Sequence, residues 1–266
     1  MLNANVGTHH LERSSLLRHY LNLFTFVATL SMSLAPAMAE KFAYAGHNYR
    51  VVEVDLAQLD LKLYWKKSDS QAFHTLLEVR KHLDKDFVFA TNAGIYARDL
   101  TPLGLHVERG QTLHALNRSR ASIGNFFMVP NGIFALTKNG AKIFETVEFH
   151  KLKPPVLEAT QSGPLLVYRG KLHPRFKPNS NNRKFRSGVG IRSDGRVIFA
   201  ISENLVSFFE FAQLFNDRLN CPDALYLDGT ISSFLDGDND PGSQFAPYVG
   251  ILAASKKKGR HDLGKR

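Results

Sequence analysis

The chain has 266 residues and a formal net charge of +10, and it is long enough for one large domain with a substantial core. Its single cysteine, Cys221, excludes an internal disulfide, so the fold must be stable without one even in an oxidising compartment. The basic residues form no stripe interleaved with aromatic side chains, which argues against a nucleic acid as a partner.

The first 39 residues have the three parts of a cleavable signal peptide. Arg13 and Arg18 precede an apolar run over residues 21–34, and the small-x-small triplet Ala37-Met38-Ala39 follows it. An uncleaved anchor is the weaker alternative, because a membrane span needs about 20 apolar residues. We expect cleavage after Ala39, a periplasmic or secreted protein, and no stable membrane span in the mature chain.

The first half of the body alternates between strand and helix patterns. Residues 51–64 have the period of two for a strand pair, with leucines on one face. Residues 70–83 carry apolar side chains at helical spacing. The continuous apolar run over residues 87–90 predicts a buried strand, which ends in the turn Asn92-Ala93-Gly94.

The middle of the chain is predicted to be rich in strands. Asn131-Gly132 predicts a hairpin between residues 126–129 and 133–136, and Asn139-Gly140 predicts a further turn. Three more segments have strand patterns: residues 165–168, 189–191 and 196–201, of which the last two flank a hairpin turn at Ser193-Asp194-Gly195.

The clearest helix begins at Ser207, which forms a capping box with Glu210, and it ends before Cys221-Pro222. Strands are predicted over residues 224–227 and 248–254. We therefore predict an α+β fold: a single domain over residues 40–255 with a mixed, largely antiparallel sheet and a few packed helices. Residues 256–266 read as a basic, disordered tail.

Four loops place polar side chains beside a glycine at a strand end. They are residues 91–94 (Thr-Asn-Ala-Gly), 161–164 (Gln-Ser-Gly-Pro), 186–190 (Arg-Ser-Gly-Val-Gly) and 227–233 (Leu-Asp-Gly-Thr-Ile-Ser-Ser). Glycine lets the backbone approach a ligand closely, and a strand end holds a side chain rigidly. Each loop alone is more simply read as a turn.

Together, in this order, the four loops resemble the motifs of the phosphodiester glycosidase family. That family has an Asn-Gly-Gly-aromatic turn, a Ser-Gly-Pro segment, an Arg before a small-residue Val-Gly strand, and a late Leu-Asp-Gly-Gly-Gly-Ser turn. The resemblance covers roughly residues 50–254, and residues 124–127 (Gly-Asn-Phe-Phe) with Pro130-Asn131-Gly132 look like the bacterial exported branch of the family. Here Ala93 and Thr230-Ile231 stand where the family has glycines.

The resemblance implies cleavage of a sugar from a sugar-1-phosphodiester at the glycosidic C–O bond, in envelope or extracellular glycans. Asp228 is the first candidate for the catalytic carboxylate and Glu203 for the second. Arg186 would hold the phosphate with a bidentate fork. The other candidate contacts to sugar or phosphate are Asn92, Ser162, Gly163, Gly229 and Ser232.

Several alternatives remain open at this point. Asp228 also fits a simple Asp-Gly turn, Glu203 a surface acid, and Arg186 an ordinary surface arginine. His106 and His173 follow strand-like segments and could line the cleft. A non-catalytic carbohydrate-binding or envelope-assembly protein on the same fold is the alternative function.

No cofactor or metal is predicted. Asp236, Asp238 and Asp240 alternate as in a calcium loop, but Pro241 occupies the position of the required glycine. The histidines show no zinc-ligand spacing, and a metal-dependent phosphodiesterase is therefore disfavoured. The expected partner is a sugar-phosphate or glycan substrate, and the sequence does not predict an oligomeric state.

Overall fold

The computed structural model describes residues 39–67, 71–120, 123–228, 233–237 and 247–257. The predicted signal segment up to residue 38, the site candidates Gly229 and Ser232, the alternating Asp238 and Asp240, and the tail from residue 258 onward lie outside these ranges. Within them, no helix is both long and apolar enough to cross a bilayer.

Strands dominate the described part of the chain. In chain order they are β1 Glu40–Tyr44, β2 His47–Val54, β3 Leu59–Tyr64, β4 Phe87–Asn92, β5 His106–Glu108, β6 Gln111–His114, β7 Gly132–Thr137, β8 Gly140–Glu145, β9 Glu158–Ser162, β10 Leu165–Tyr168, β11 Lys171–Leu172, β12 Ser187–Ile191, β13 Val197–Ser202, β14 Asp223–Tyr226, β15 Phe234–Asp236 and β16 Ile251–Lys256. The helices are α1 Leu76–Leu83, α2 Thr146–Leu152 and α3 Phe208–Gln213.

These strands form three sheets. The seven-stranded sheet has the order β1-β2-β13-β12-β14-β10-β11, the four-stranded sheet β15-β4-β16-β3, and the five-stranded sheet β6-β5-β9-β7-β8. Every pairing between the strands described above is antiparallel. The prediction of a largely antiparallel fold is thus confirmed, but its single mixed sheet is replaced by three sheets, and the helices are short.

One central core joins the three sheets. Along β13, Val197 and Phe199 face this core, whereas Ile198 and Ala200 face the opposite side, as the period of two requires. The same alternation holds along β7 and β16. Each sheet therefore gives one face to the shared core.

A single short helix lies over the outer face of each sheet. Val79 of α1 packs on the four-stranded sheet, Phe149 of α2 on the five-stranded sheet, and Phe211 of α3 on the seven-stranded sheet. These side chains are at most 9% exposed. Because each helix needs to cover only part of one sheet face, a length of two turns is sufficient.

The predicted helix over residues 70–83 begins later than its apolar pattern indicates. Thr75 is the N-cap, since its side chain accepts a hydrogen bond from the N–H of Glu78. Ala72, before the cap, forms an isolated bridge with Lys66 instead. Ser70 lies outside the described residues.

The helix predicted from the capping box is confirmed. Ser207 accepts from the N–H of Glu210, and the Glu210 carboxylate accepts from the N–H of Ser207. After α3 the chain continues into a wider π-helical turn, Leu214–Arg218. This end of the helix buries Phe211 and Phe215 against the seven-stranded sheet.

Two predicted strand pairings are wrong. Asn131-Gly132 does not form a hairpin, because residues before it make a 3-10 turn, Asn125–Phe127, whose Phe126 carbonyl accepts from the Asn131 side chain at 2.7 Å. Pro130 has no N–H to offer a strand ladder. Residues 51–64 do contain β2 and β3, but these strands belong to different sheets.

Candidate active site

Strands from all three sheets end at one junction. Asn92 is the last residue of β4, Ser162 the last of β9, and Ser187 the first of β12. The Asn92 amide nitrogen donates to Ser187 Oγ at 3.2 Å, and Ser162 Oγ donates to the Leu227 carbonyl at 2.9 Å. Residues distant in sequence are therefore held together by direct hydrogen bonds beside Asp228.

Ser187 organises this junction, although we had not predicted it as a site residue. Its hydroxyl accepts from Asn92 and from the N–H of Asp228, and it donates to the Asp228 carbonyl. The Ser187 N–H also donates to that carbonyl, at 2.9 Å. The backbone of Asp228 is thus fixed by one buried serine, whose only sequence signal is its place between Arg186 and Gly188.

Gly94 and Gly163 of the predicted loops are required by close packing at the junction. A Cβ on Gly163 would lie 2.6 Å from Asn131 Cβ and 2.9 Å from the Phe126 carbonyl oxygen. A Cβ on Gly94 would lie 2.4 Å from the Gln161 carbonyl oxygen. Glycine is needed at these two positions because the segments of the junction pack closely, in addition to the close approach of a ligand for which it was predicted.

Three tyrosines lie near enough to the half-buried Asp228 for its charge to act on them. Burial first, and the negative charge of Asp228 second, raise the pKa of Tyr96 and of Tyr226. Burial also raises the pKa of Tyr248 to about 12, with a smaller contribution from Asp228. Each hydroxyl therefore keeps its proton at neutral pH and can donate a hydrogen bond. Tyr226 and Tyr248 were missed because, within strand patterns, they read as core aromatics.

Arg186 is buried rather than at the surface, with only 1% of its side chain exposed. Its Nε donates to the Val206 carbonyl and its Nη2 to the Asn182 carbonyl, both at 2.9 Å. Nη1 is buried and makes no hydrogen bond of good geometry within the described part of the chain, and the guanidinium also interacts with the Tyr226 hydroxyl. Burial lowers the pKa of this guanidinium, but an arginine remains charged at neutral pH. The surface alternative for Arg186 is therefore wrong.

An aromatic stack supports the Arg186 guanidinium. The Arg186 Cζ lies 3.5 Å from the centroid of the Phe208 ring, a cation–π contact. Phe176 stacks on Phe208 with centroids 5.1 Å apart, and His173 stacks on Phe176 at 4.6 Å. Burial lowers the pKa of His173 to about 4, so it is neutral at physiological pH and acts here as part of the stack.

A pocket of about 410 Å³ opens above this guanidinium. Its buried lining residues are Arg186 and Tyr226, and Tyr226 contacts the Asn125 side chain, which also lines the pocket. The more exposed lining residues are Asn182, Lys184, Phe185 and Leu205. Both charged residues among the described lining residues are cations.

Glu203 lies at the same end of the seven-stranded sheet as Asp228 but is separated from it by β12. It follows β13, is exposed, and donates its N–H to the Asn48 carbonyl at 2.8 Å. Two strand spacings place its backbone roughly 10 Å from that of Asp228. The catalytic role of Glu203 stays a prediction.

His106 lies beneath the junction rather than in it. It is 1% exposed, and its Nε2 is 2.9 Å from an oxygen of buried Glu108. A Cβ on Gly250 would lie 3.2 Å from the His106 ring, so the ring fills the space below the β4 turn.

Comparison with known proteins gives concordant results. The family model described as phosphodiester glycosidase matches residues 85–252. A relative from Escherichia coli strain K12, the uncharacterized protein YigE, is 35% identical over 200 residues, which cover 74% of this chain and 78% of the relative.

Two solved structures have a similar fold at low identity. The catalytic domain of zebrafish N-acetylglucosamine-1-phosphodiester alpha-N-acetylglucosaminidase, auto-inhibited by its pro-peptide, has a TM-score of 0.57 at 14% identity, covering 85% of each chain. A hypothetical protein from Synechocystis has a TM-score of 0.54 at 15% identity, covering 82% of this chain and 61% of that one.

Proposed function

The chain belongs to the phosphodiester glycosidase family, and from that membership we propose that it is an exported hydrolase that releases a sugar from a sugar-1-phosphodiester. The substrate would be part of an envelope or extracellular glycan. Export is supported by the signal-like N-terminal sequence. The observation that supports the proposal is that the backbone of Asp228 is hydrogen-bonded to Ser187, the residue next to the buried cation Arg186.

The proposed reaction breaks the bond between the anomeric carbon and the phosphate oxygen. The phosphate leaves with the bonding electron pair as a phosphomonoester, and the oxygen of water bonds to the anomeric carbon. The two protons of the water end on the new sugar hydroxyl and in solution or on the phosphate. An anomeric phosphate is already a good leaving group, so it needs less acid assistance than an ordinary alcohol.

Asp228 would supply the negative charge that this reaction needs. Positive charge develops at the anomeric carbon in the transition state, and a fixed carboxylate stabilises it. The hydrogen bonds of Ser187 hold the backbone of Asp228 in place before substrate arrives. The protonated hydroxyls of Tyr96, Tyr226 and Tyr248 are suitable donors to sugar hydroxyls or phosphate oxygens.

Arg186 would hold the phosphate. Its guanidinium is held by two backbone carbonyls and the Phe208 ring and interacts with the Tyr226 hydroxyl, and its buried Nη1 would donate to the anion. A charged hydrogen bond of this kind is stronger in a partly dehydrated pocket than at a free surface. Asn92, Ser162 and Gly163 would then serve mainly to hold the junction on which Asp228 stands.

The experiment is steady-state hydrolysis of a panel of sugar-1-phosphodiesters by the wild type and by Asp228→Asn. We expect the Asn variant to lose at least roughly 100-fold in kcat while ligand binding and circular dichroism stay near wild type, because it keeps the shape but not the charge. Asp223→Asn, at the other end of β14, is the matched control.

An active Asp228→Asn enzyme would move the catalytic assignment to Glu203. If no member of the panel is turned over but sugar phosphates bind in the site, the protein is instead a carbohydrate-binding member of the family. Either result would contradict the role proposed for Asp228.

A further inference from the structure

The pocket above Arg186 has an apolar rim that phosphate binding alone does not require. Phe185 and Leu205 both line it, and each is 50% exposed. These two side chains leave nonpolar surface in water on either side of one pocket mouth, and a ligand in the pocket could cover it. An anion would suit the Arg186 guanidinium, whereas an apolar group would suit the rim formed by Phe185 and Leu205.

The rim is preformed by backbone pairing. Lys184 and Val206 exchange two hydrogen bonds, 3.1 Å and 2.9 Å long, which tie together the two segments that carry Phe185 and Leu205. Arg183, beside them, pairs with Glu210 of α3 at 2.6 Å. A ligand would therefore meet a shaped surface and would not have to order it first.

The charges of the pocket favour one orientation of such a ligand. Arg186 is buried and Lys184 is exposed, and the lining residues that the structure describes include neither Asp nor Glu. A phosphate beside Nη1 would direct its second ester substituent outward between Phe185 and Leu205. Water would be displaced from both apolar side chains.

We propose that this pocket selects phosphodiesters whose non-sugar side is an apolar carbon group, so that the leaving phosphomonoester is an alkyl phosphate seated between Phe185 and Leu205. This inference rests on the proposed function for its place in the reaction. The binding of the phosphomonoester, however, requires no catalysis and can be measured separately.

The test is calorimetric titration of the full mature chain with hexyl phosphate and with methyl phosphate. We expect hexyl phosphate to bind about 10-fold more tightly, because several of its methylene groups are removed from water when they pack against the rim. The double variant Phe185→Ala/Leu205→Ala should reduce this ratio to about 2-fold or less. Leu152→Ala, an equally conservative change of a 60% exposed leucine on α2, should keep the full ratio.

The outcomes separate this inference from the proposed function. Equal binding of the two phosphates, no binding of either, or a hexyl preference that persists in the double variant would overturn the inference. If the inference fails in one of these ways but the same preparation hydrolyses a sugar-1-phosphodiester with a methyl group on its other side, the proposed function still holds. Conversely, a hexyl preference lost in the double variant supports the pocket assignment even if no sugar is released. The single variant Leu205→Ser, at an exposed position, provides a second measurement should the double variant fold poorly.

Discussion

At the scale of single residues, Asp228 would stabilise the charge at the anomeric carbon and Arg186 would hold the phosphate. Asp228 lies two residues beyond the end of β14, while Arg186 directly precedes the neighbouring strand β12 and is buried with its Cζ 3.5 Å from the centroid of the Phe208 ring. The sequence indicated both residues through their neighbouring glycines. It did not indicate Ser187 or Tyr226, because a serine in a strand and a tyrosine in an apolar run have no distinguishing pattern.

Arg186→Lys should lower substrate affinity and rate together. A lysine has a single ammonium in place of the planar guanidinium, so it cannot bond to Val206 and Asn182, lie on Phe208 and donate to phosphate at once. We expect a loss of roughly 10- to 100-fold in kcat/KM from steady-state kinetics. Arg192→Lys, just beyond the far end of β12, is the matched control. Wild-type kinetics in Arg186→Lys would contradict a role for the Arg186 guanidinium in phosphate binding.

At the scale of elements, local signals in the sequence gave better predictions than pairing signals. The capping box at Ser207, the turn at Asn139-Gly140 and the hairpin turn at Asp194-Gly195 are confirmed, since each depends on residues within a few positions. The predicted β2–β3 pairing is wrong because β2 joins β13, far along the chain, and nothing local encodes that choice.

The same limit applies to the site. Glycine-bearing strand ends could be found from sequence, but their meeting at one junction of three sheets depends on contacts between distant segments. The hydrogen bonds from Asn92 to Ser187 and from Ser162 to the Leu227 carbonyl are two such long-range contacts. The period of the hydrophobic pattern could not predict this meeting of distant segments. The family resemblance could, because it groups the four loops as the motifs of one site.

Ser207→Ala should destabilise the protein by about 1 kcal/mol, because it removes the side-chain cap of α3. Ser207 is also the residue before Phe208, so the change tests whether the cap helps to hold the ring under Arg186. Urea unfolding measures the loss of stability, and the affinity for a phosphate ester shows whether the cap helps to position Phe208 under Arg186. Ser207→Thr, which can still cap, is the control, and an Ala variant as stable as wild type would show that the cap contributes nothing.

At the scale of the whole molecule, buried carboxylates connect two of the sheets. Glu158 of β9 accepts from the N–H groups of Leu63 and Arg109, and Glu108 of β5 accepts from the N–H of Trp65. These acceptors satisfy backbone donors next to the free edge of β3. Burial, with a smaller contribution from the charge of Glu108, raises the pKa of Glu158 to about 7.

Global stability should consequently fall as the pH rises. Unfolded Glu158 loses its proton near its ordinary pKa of 4.5, whereas folded Glu158 keeps it until about 7. Between these values the folded state binds more protons, so the free energy of unfolding decreases with rising pH, by up to about 3 kcal/mol. Denaturant titrations at pH 5 and pH 8 measure this difference. Glu158→Gln, which mimics the protonated form, should flatten it; an unchanged pH dependence in that variant would assign the effect to another group.

The central claim is that the chain breaks the C–O bond of a sugar-1-phosphodiester. Hydrolysis of an active substrate in water enriched in oxygen-18, followed by mass spectrometry of both products, tests it most directly. The account predicts one heavy oxygen in the released sugar, measured before exchange at the anomeric position, and none in the phosphomonoester. Heavy oxygen in the phosphomonoester and not in the sugar would mean P–O cleavage and would contradict the account.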